Sequence, residues 1–173
     1  MMGFIEAPAW LAYAILGVVA GQRMGELAVA HRNTRALKQR GATEVGAAHY
    51  PFIVALHAAW LLALVAWVTL HAWRINVGLL LVFAALQAAR FWILWTLGPY
   101  WTTRIISLPG APLIRSGPYR YLRHPNYLVV VLEIAVLPLA FGAWVLAAVF
   151  SALNAAVLYV RIRAEEAALA SRS

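Results

Sequence analysis

Ser116-Gly117-Pro118-Tyr119-Arg120-Tyr121-Leu122-Arg123-His124-Pro125-Asn126-Tyr127 lies between two long apolar regions, and its reading decides the fold. Charged side chains are costly near hydrocarbon, so a plain connecting loop would not need Arg120, Arg123 and His124. Gly117-Pro118 signals a turn, and Pro125 suits the first position of a new helix, where a missing N–H costs nothing. The free N–H groups and positive dipole end of that helix form a seat for an anion beside His124. The plain alternative is a basic loop anchored to lipid phosphates. The interleaving of Tyr119, Tyr121 and Tyr127 with the basic residues favours a binding surface for a flat, partly anionic ligand.

Outward from this stretch the chain is greasy. Its 173 residues are 64% hydrophobic with a mean hydropathy of +0.77, which marks an all-α integral membrane protein of one domain, residues 1–173. Met1 to Ala9 holds Glu6 and no lysine or arginine, so no secretory signal peptide is expected. Without cysteine there is no disulfide, thiol nucleophile or thiolate metal site. A net charge of +8 on such a chain points to loops lying against anionic lipid rather than to nucleic acid.

Five spans are predicted, at about Pro8–Ala30, Pro51–Leu70, Ile75–Leu97, Tyr127–Phe141 and Ala143–Val160. The last two form a helical hairpin turned at Gly142 and kinked near Pro138, with the polar tail from Arg161 continuing the final helix. His31–Tyr50 and Thr102–Asn126 are polar connections, and Trp92, Trp95, Tyr100 and Trp101 read as an interfacial belt. Arg32, Arg35, Lys38, Arg40, Arg104, Arg115, Arg120, Arg123, Arg161, Arg163 and Arg172 then fall on one side and Arg74 on the other. By the positive-inside rule the N-terminus is out, and the C-terminus and the active site are cytoplasmic. Gly17, Gly21 and Gly25 line one face of the first helix and let another helix approach, within the chain or from a second copy.

Four groups of residues hold chemistry. Beside the opening stretch, Arg161 and Glu165 share a helix face, with Glu166 next to them; a carboxylate there suits a ribose diol or a cationic ligand. Arg90 and Glu133 are ionisable residues inside spans, expected to face the bundle interior, with an ion pair between them or a snorkelling Arg90 as the options. Arg23 and Glu26 are spaced to pair locally. Of the remaining histidines, His31, His49 and His71 read as interfacial and His57 as a packed span residue. No HxxxH or HExxH spacing and no aspartate occur, so no metal site is expected.

Gly117-Pro118-Tyr119-Arg120-Tyr121-Leu122-Arg123-His124-Pro125-Asn126-Tyr127, followed by Arg161-Ile162-Arg163-Ala164-Glu165-Glu166-Ala167-Ala168-Leu169, resembles the isoprenylcysteine carboxyl methyltransferase family through its GxYxxxRHPxY and RxxxEE signatures. The resemblance is strongest from Leu97 to Leu169, and Asn33-Thr34-Arg35 and His49-Tyr50-Pro51 look like bacterial members of the same group, which implies a bacterial inner membrane. It implies a helical membrane enzyme using S-adenosylmethionine (SAM), with the cofactor-binding half at about 97–173. Tyr119, His124, Pro125, Asn126 and Tyr127 would touch the cofactor, Glu165 its ribose or amino group, and Ala111, Pro112, Leu113 and Ile114 its adenine. Arg161 would face the acceptor, and Glu133 is the candidate base for a phenol or enol.

Two departures bear on the substrate. Leu128-Val129 stand where the family usually has glycine, and the chain ends at Ser173 without the aromatic, glycine-containing extension of many members. The expected acceptor is therefore a lipophilic oxygen compound, such as a long-chain polyketide made by a type III synthase, entering from the bilayer, in preference to a prenylated protein. Phospholipid N-methylation and a non-catalytic membrane scaffold held through Gly17, Gly21 and Gly25 are the competing readings.

Overall fold

The computed structural model describes residues 3–111 and 113–170, with side chains described to residue 167; Pro112 lies outside the described residues. Five helices carry the fold: α1 Ala9–Gln39, α2 Tyr50–Leu70, α3 Val77–Leu97, α4 Pro125–Ala140 and α5 Trp144–Ala170. Each boundary has a local cause. Pro51 and Pro125 sit in the first turns of α2 and α4, and the Asn76 side chain caps α3 by accepting from the Leu79 N–H at 3.0 Å. Gly41, with φ +89°, ends α1 while the Ala42 N–H returns to the Leu37 carbonyl at 3.1 Å. Gly142, with φ +71°, reverses the chain between α4 and α5.

The all-helical expectation holds apart from four very short strands, which mark the two ends of the bundle. β1 (Phe4–Ile5) pairs antiparallel with β3 (Ile75–Asn76) at one end. There Trp73 meets Phe141 edge-on at 5.7 Å, beside the α4–α5 turn. β2 (Thr43–Val45) pairs antiparallel with β4 (Ile105–Ser107) at the opposite end. The helices therefore alternate in direction.

α4 is the centre of the packing. Pro138 has no N–H to offer the Ile134 carbonyl, and the buried Trp60 indole on α2 donates to that oxygen instead, at 3.2 Å. Trp67 does the same for the Phe141 carbonyl at 3.2 Å. Leu16 and Val19 of α1, Leu64 of α2, and Ile134, Leu137 and Phe141 close the core around these indoles. Trp10, Trp95 and Trp144 point outward, as a lipid-facing surface allows.

The structure corrects several expectations. α1 runs on to Gln39, because no breaker occurs before Gly41, so His31 does not begin a loop. The all-α membrane fold of five helices stands as expected, and among the described residues three segments, Ala47–Leu70, Val77–Tyr100 and Trp144–Ala167, are long and apolar enough to cross a membrane. α4 has only 16 residues, about 24 Å at ~1.5 Å per residue, and α1 is long but carries charge in its second half. Gly17, Gly21 and Gly25 do not seat a helix of the same chain: a Cβ added at any of them would meet nothing within 4 Å. Trp101 is not a belt residue but is buried, at 3% exposure.

Candidate functional site

The end of the bundle holding β2 and β4 also gathers the turn before α4 and the last turns of α5. Gly117, at φ +55°, lets the turn press on α3: a Cβ there would stand 2.5 Å from the Thr96 hydroxyl and 3.3 Å from the Trp92 indole nitrogen. A short 3₁₀ turn, Gly117–Arg120, brings Tyr119 inward, and His124 then precedes Pro125, where α4 starts. His124 does not cap the helix; its ring stacks on Tyr127 at 5.4 Å, and its Nε2 lies 3.8 Å from Glu166.

Tyr127 links the two signature segments. Its hydroxyl donates to the Glu165 carboxylate and accepts from Arg161 Nε at 2.9 Å, while Arg161 Nη2 donates to the Thr103 carbonyl at 2.8 Å. Arg161 and Glu165 share a helix face, yet they meet through the phenol and not as an ion pair. Arg161 is buried, and its charge is held by neutral partners, with no salt bridge among the described residues. Burial, with Glu165 nearby, pushes the Tyr119 phenol above its usual range, so it stays protonated and able to donate. Tyr50 adds a hydroxyl contact to Thr103 at 3.1 Å and carries Arg104 over its ring at 4.1 Å.

Two cavities meet at the Tyr127 phenol. The first, about 260 Å³, is lined by Tyr119, Arg123, His124, Asn126 and Glu165 and by the apolar Leu108, Ala111, Leu113 and Ile114. The second, about 300 Å³, is lined from all five helices, with apolar side chains such as Met24, Leu27, Val54 and Leu61 contributed by α1 and α2. Trp101, Thr102, Asn126, Tyr127 and Arg161 line both. In that shared wall the Asn126 Oδ1 and the Trp101 Nε1 are buried with no hydrogen-bond partner among the described residues. A buried acceptor and a buried donor left unpaired in one cavity wall are costly unless a ligand completes them.

The intramembrane charges form one cluster below this wall. Arg90 donates to Glu26 from Nε at 2.7 Å and from Nη2 at 2.6 Å, and to Glu133 from Nη1 at 3.1 Å. Arg23 bridges the same two carboxylates at 3.0 and 2.8 Å, and Gln22 and Gln87 complete them. Glu133, at 2% exposure, faces the bundle interior as expected and pairs directly with Arg90, which does not snorkel. It lines neither cavity, and its oxygens already accept three hydrogen bonds, which argues against its use as a base. Arg23, Glu26 and Arg90 do line the second cavity.

The structure thus brings together Ala111, Leu113, Ile114, Tyr119, His124, Asn126, Tyr127, Arg161 and Glu165 around the first cavity, with Pro125 buried at the α4 start. Sequence reading missed Trp101, Thr102, Thr103, Tyr50 and His57. Trp101 lay in an aromatic run whose members all suit an interface, and only the tertiary fold singles it out.

The sequence model of the isoprenylcysteine carboxyl methyltransferase family matches residues 77–171 of the chain. The chain is 44% identical over 165 residues to an uncharacterized Bacillus subtilis (strain 168) protein, YpbQ, covering 92% of this chain and 95% of that one. It is 29% identical over 152 residues to an uncharacterized Haemophilus influenzae protein (strain ATCC 51907 / DSM 11121 / KW20 / Rd), covering 85% and 88% of the two. No solved structure matches it.

Proposed function

The chain belongs to the isoprenylcysteine carboxyl methyltransferase family, a family of membrane methyltransferases, and from that premise we propose that it transfers a methyl group from SAM to an oxygen of a lipophilic acceptor. One observation carries the reading: a polar cavity and an apolar cavity share a wall built from both signature segments.

The residues present fit the cofactor. The orphan Asn126 Oδ1 suits an amino group, the start of α4 with His124 and Arg123 suits a carboxylate, and Glu165 suits a diol. Ala111, Leu113 and Ile114, opposite Tyr119, offer a slot for a flat base. When bound, SAM supplies an activated methyl group on a sulfonium. The chain's own task is then alignment and exclusion of water. Tyr127 and the Thr103 carbonyl hold the Arg161 guanidinium still, so that it directs the acceptor oxygen to the wall shared by the two cavities.

The acceptor's tail would lie in the second cavity and enter sideways from the bilayer between α1 and α2, where Met24 and Val54 are exposed. A water-borne route for such a tail would require a large apolar groove in solvent. The proposed orientation places the arginine-rich end, with the site, in the cytoplasm.

Calorimetry with SAM and transfer of labelled methyl in detergent or liposomes test the reading. Label in an alkylphenol or fatty acid supports it. Label mainly in phosphatidylethanolamine nitrogen, or no SAM binding by folded protein, overturns it.

A further inference from the structure

One histidine lines the second cavity, and it belongs neither to the core packing nor to the charge cluster. His57, on α2, directs its Nδ1 to the Ile53 carbonyl at 2.8 Å. A carbonyl only accepts, so Nδ1 carries the proton and Nε2 keeps its lone pair. No hydrogen bond to Nε2 is made among the described residues, and the ring lines the cavity.

Every other charged or titratable lining group is committed. From α1, Arg23 and Glu26 belong to the charge cluster, as does Arg90 from α3. Tyr50, from α2, shares its hydroxyl with Thr103. Tyr127 of α4 and Arg161 of α5 hold each other. The Glu26 carboxylate accepts from Arg23, Arg90 and Gln22, which leaves it no lone pair well placed for a substrate.

We propose that His57 is the general base of this enzyme and that its acceptor is therefore a hydroxyl compound, a lipid-tailed phenol or enol; the inference rests on the oxygen-methyltransferase reading above. A carboxylate acceptor is already ionised at neutral pH and needs no base, so a histidine with its tautomer fixed, a nitrogen left free and its ring in the wall of the acceptor cavity would have nothing to do for it. Nε2 takes the hydroxyl proton as the oxygen bonds to the donor's methyl carbon. The sulfur–carbon bond breaks with its electron pair left on sulfur. The products are a methyl ether, the neutral thioether and an imidazolium, which returns its proton to water. The guanidinium of Arg161, in the same cavity, stabilises the oxygen while it is anionic.

The test uses full-length protein in detergent with 4-dodecylphenol and a nitro-substituted dodecylphenol that ionises near neutral pH. For His57→Ala and His57→Gln, methyl transfer to dodecylphenol falls on the order of 100-fold or more, general acid–base catalysis being worth about that much. Transfer to the nitrophenol falls far less, and dodecylphenol turnover recovers as pH rises toward the phenol's own pKa of about 10. SAM affinity, which reports folding, stays within a few-fold. Without SAM, the Nε2 resonance of ¹⁵N-histidine-labelled protein, assigned by its loss in His57→Gln, shifts on adding dodecylphenol. Equal losses on both phenols, or no shift of that resonance while wild-type protein methylates the phenol, overturns the role of His57 and leaves the methyltransferase reading standing. Wild-type protein that binds no SAM overturns both.

Discussion

Arg90 and Arg161 are both buried arginines at the edges of one cavity, yet their surroundings are opposite. Arg90 is enclosed by carboxylates, which take its Nε and both terminal nitrogens. Arg161 is held by a phenol and a backbone carbonyl, with no carboxylate against it. A charge cancelled on every side cannot act on a ligand, and its value lies in joining α1, α3 and α4. A charge held by neutral groups keeps its field, and in low dielectric that field is strong. The two arginines therefore differ in a way that burial alone does not show: one is tied up by carboxylates, and the other keeps a field that a ligand could use.

The largest test of that contrast is Glu133→Ala. It leaves Arg23 and Arg90 short of a counter-charge inside the bundle, and the expected cost is about 3–5 kcal/mol, the usual penalty for breaking a buried pair. Equilibrium unfolding in mixed micelles measures it. Glu133→Gln, in protein that still folds, leaves the pH profile of methyl transfer unchanged. A lost acidic limb, the side on which a general base protonates, would instead make Glu133 the base and break the comparison.

Next in size is Arg161→Met. Methyl transfer falls about 10²- to 10³-fold, as when a preorganised electrostatic donor is removed. The stability cost is smaller, about 1–2 kcal/mol, because two hydrogen bonds to neutral groups are lost and no charge is stranded. Steady-state kinetics beside the same unfolding measurement checks this. A stability loss as large as that of Glu133→Ala, with kcat unaltered, would erase the distinction between the two arginines.

How much of this could be read beforehand follows the same division. The helices of the last third, the turn at Gly142 and the convergence of His124 with Glu165 were legible, because proline, glycine and the paired motifs are local signals. The pairing of Arg90 with Glu133 was only one of two options, and the share of Arg23 and Glu26 in it was hidden. Those two pair within one turn of α1, and nothing local says that α1 brings them level with Glu133. Trp101 and His57 were hidden for a related reason. An indole among four aromatics and a histidine in an apolar run carry no periodic signal of their own, and the cavity that gives them meaning is lined from all five helices. The glycines of α1 misled in the opposite direction: their spacing fits helix packing, but the space beside them is open in this chain.

Asn126→Ala sharpens the contrast at a smaller scale. Its Oδ1 has no partner among the described residues, so its removal costs the fold little. If a ligand supplies the partner, the dissociation constant for SAM rises about tenfold, near 1.4 kcal/mol, by calorimetry. An unchanged constant would remove Asn126 from the cofactor contacts.

Glu44, at the rim, gives the smallest effect and the sharpest sign. Partial burial works against its ionisation, but hydrogen bonds from Lys38 and Arg104 outweigh it and hold the carboxyl below the usual range. A carboxyl depressed in the folded state stabilises fully above its unfolded pKa of about 4.3, and that contribution fades as pH falls through the folded value. Lys38 and Arg104 are both more than a third exposed, so the whole contribution is under about 1 kcal/mol and salt screens it. Glu44→Gln should flatten the acid limb of stability against pH and barely alter it at pH 7 in high salt. Because Arg104 also lines the first cavity, the same change frees a cation there. SAM affinity should then rise slightly or stay constant, whereas a clear fall would mean that the β2–β4 pairing, and not the charge, is what Glu44 maintains.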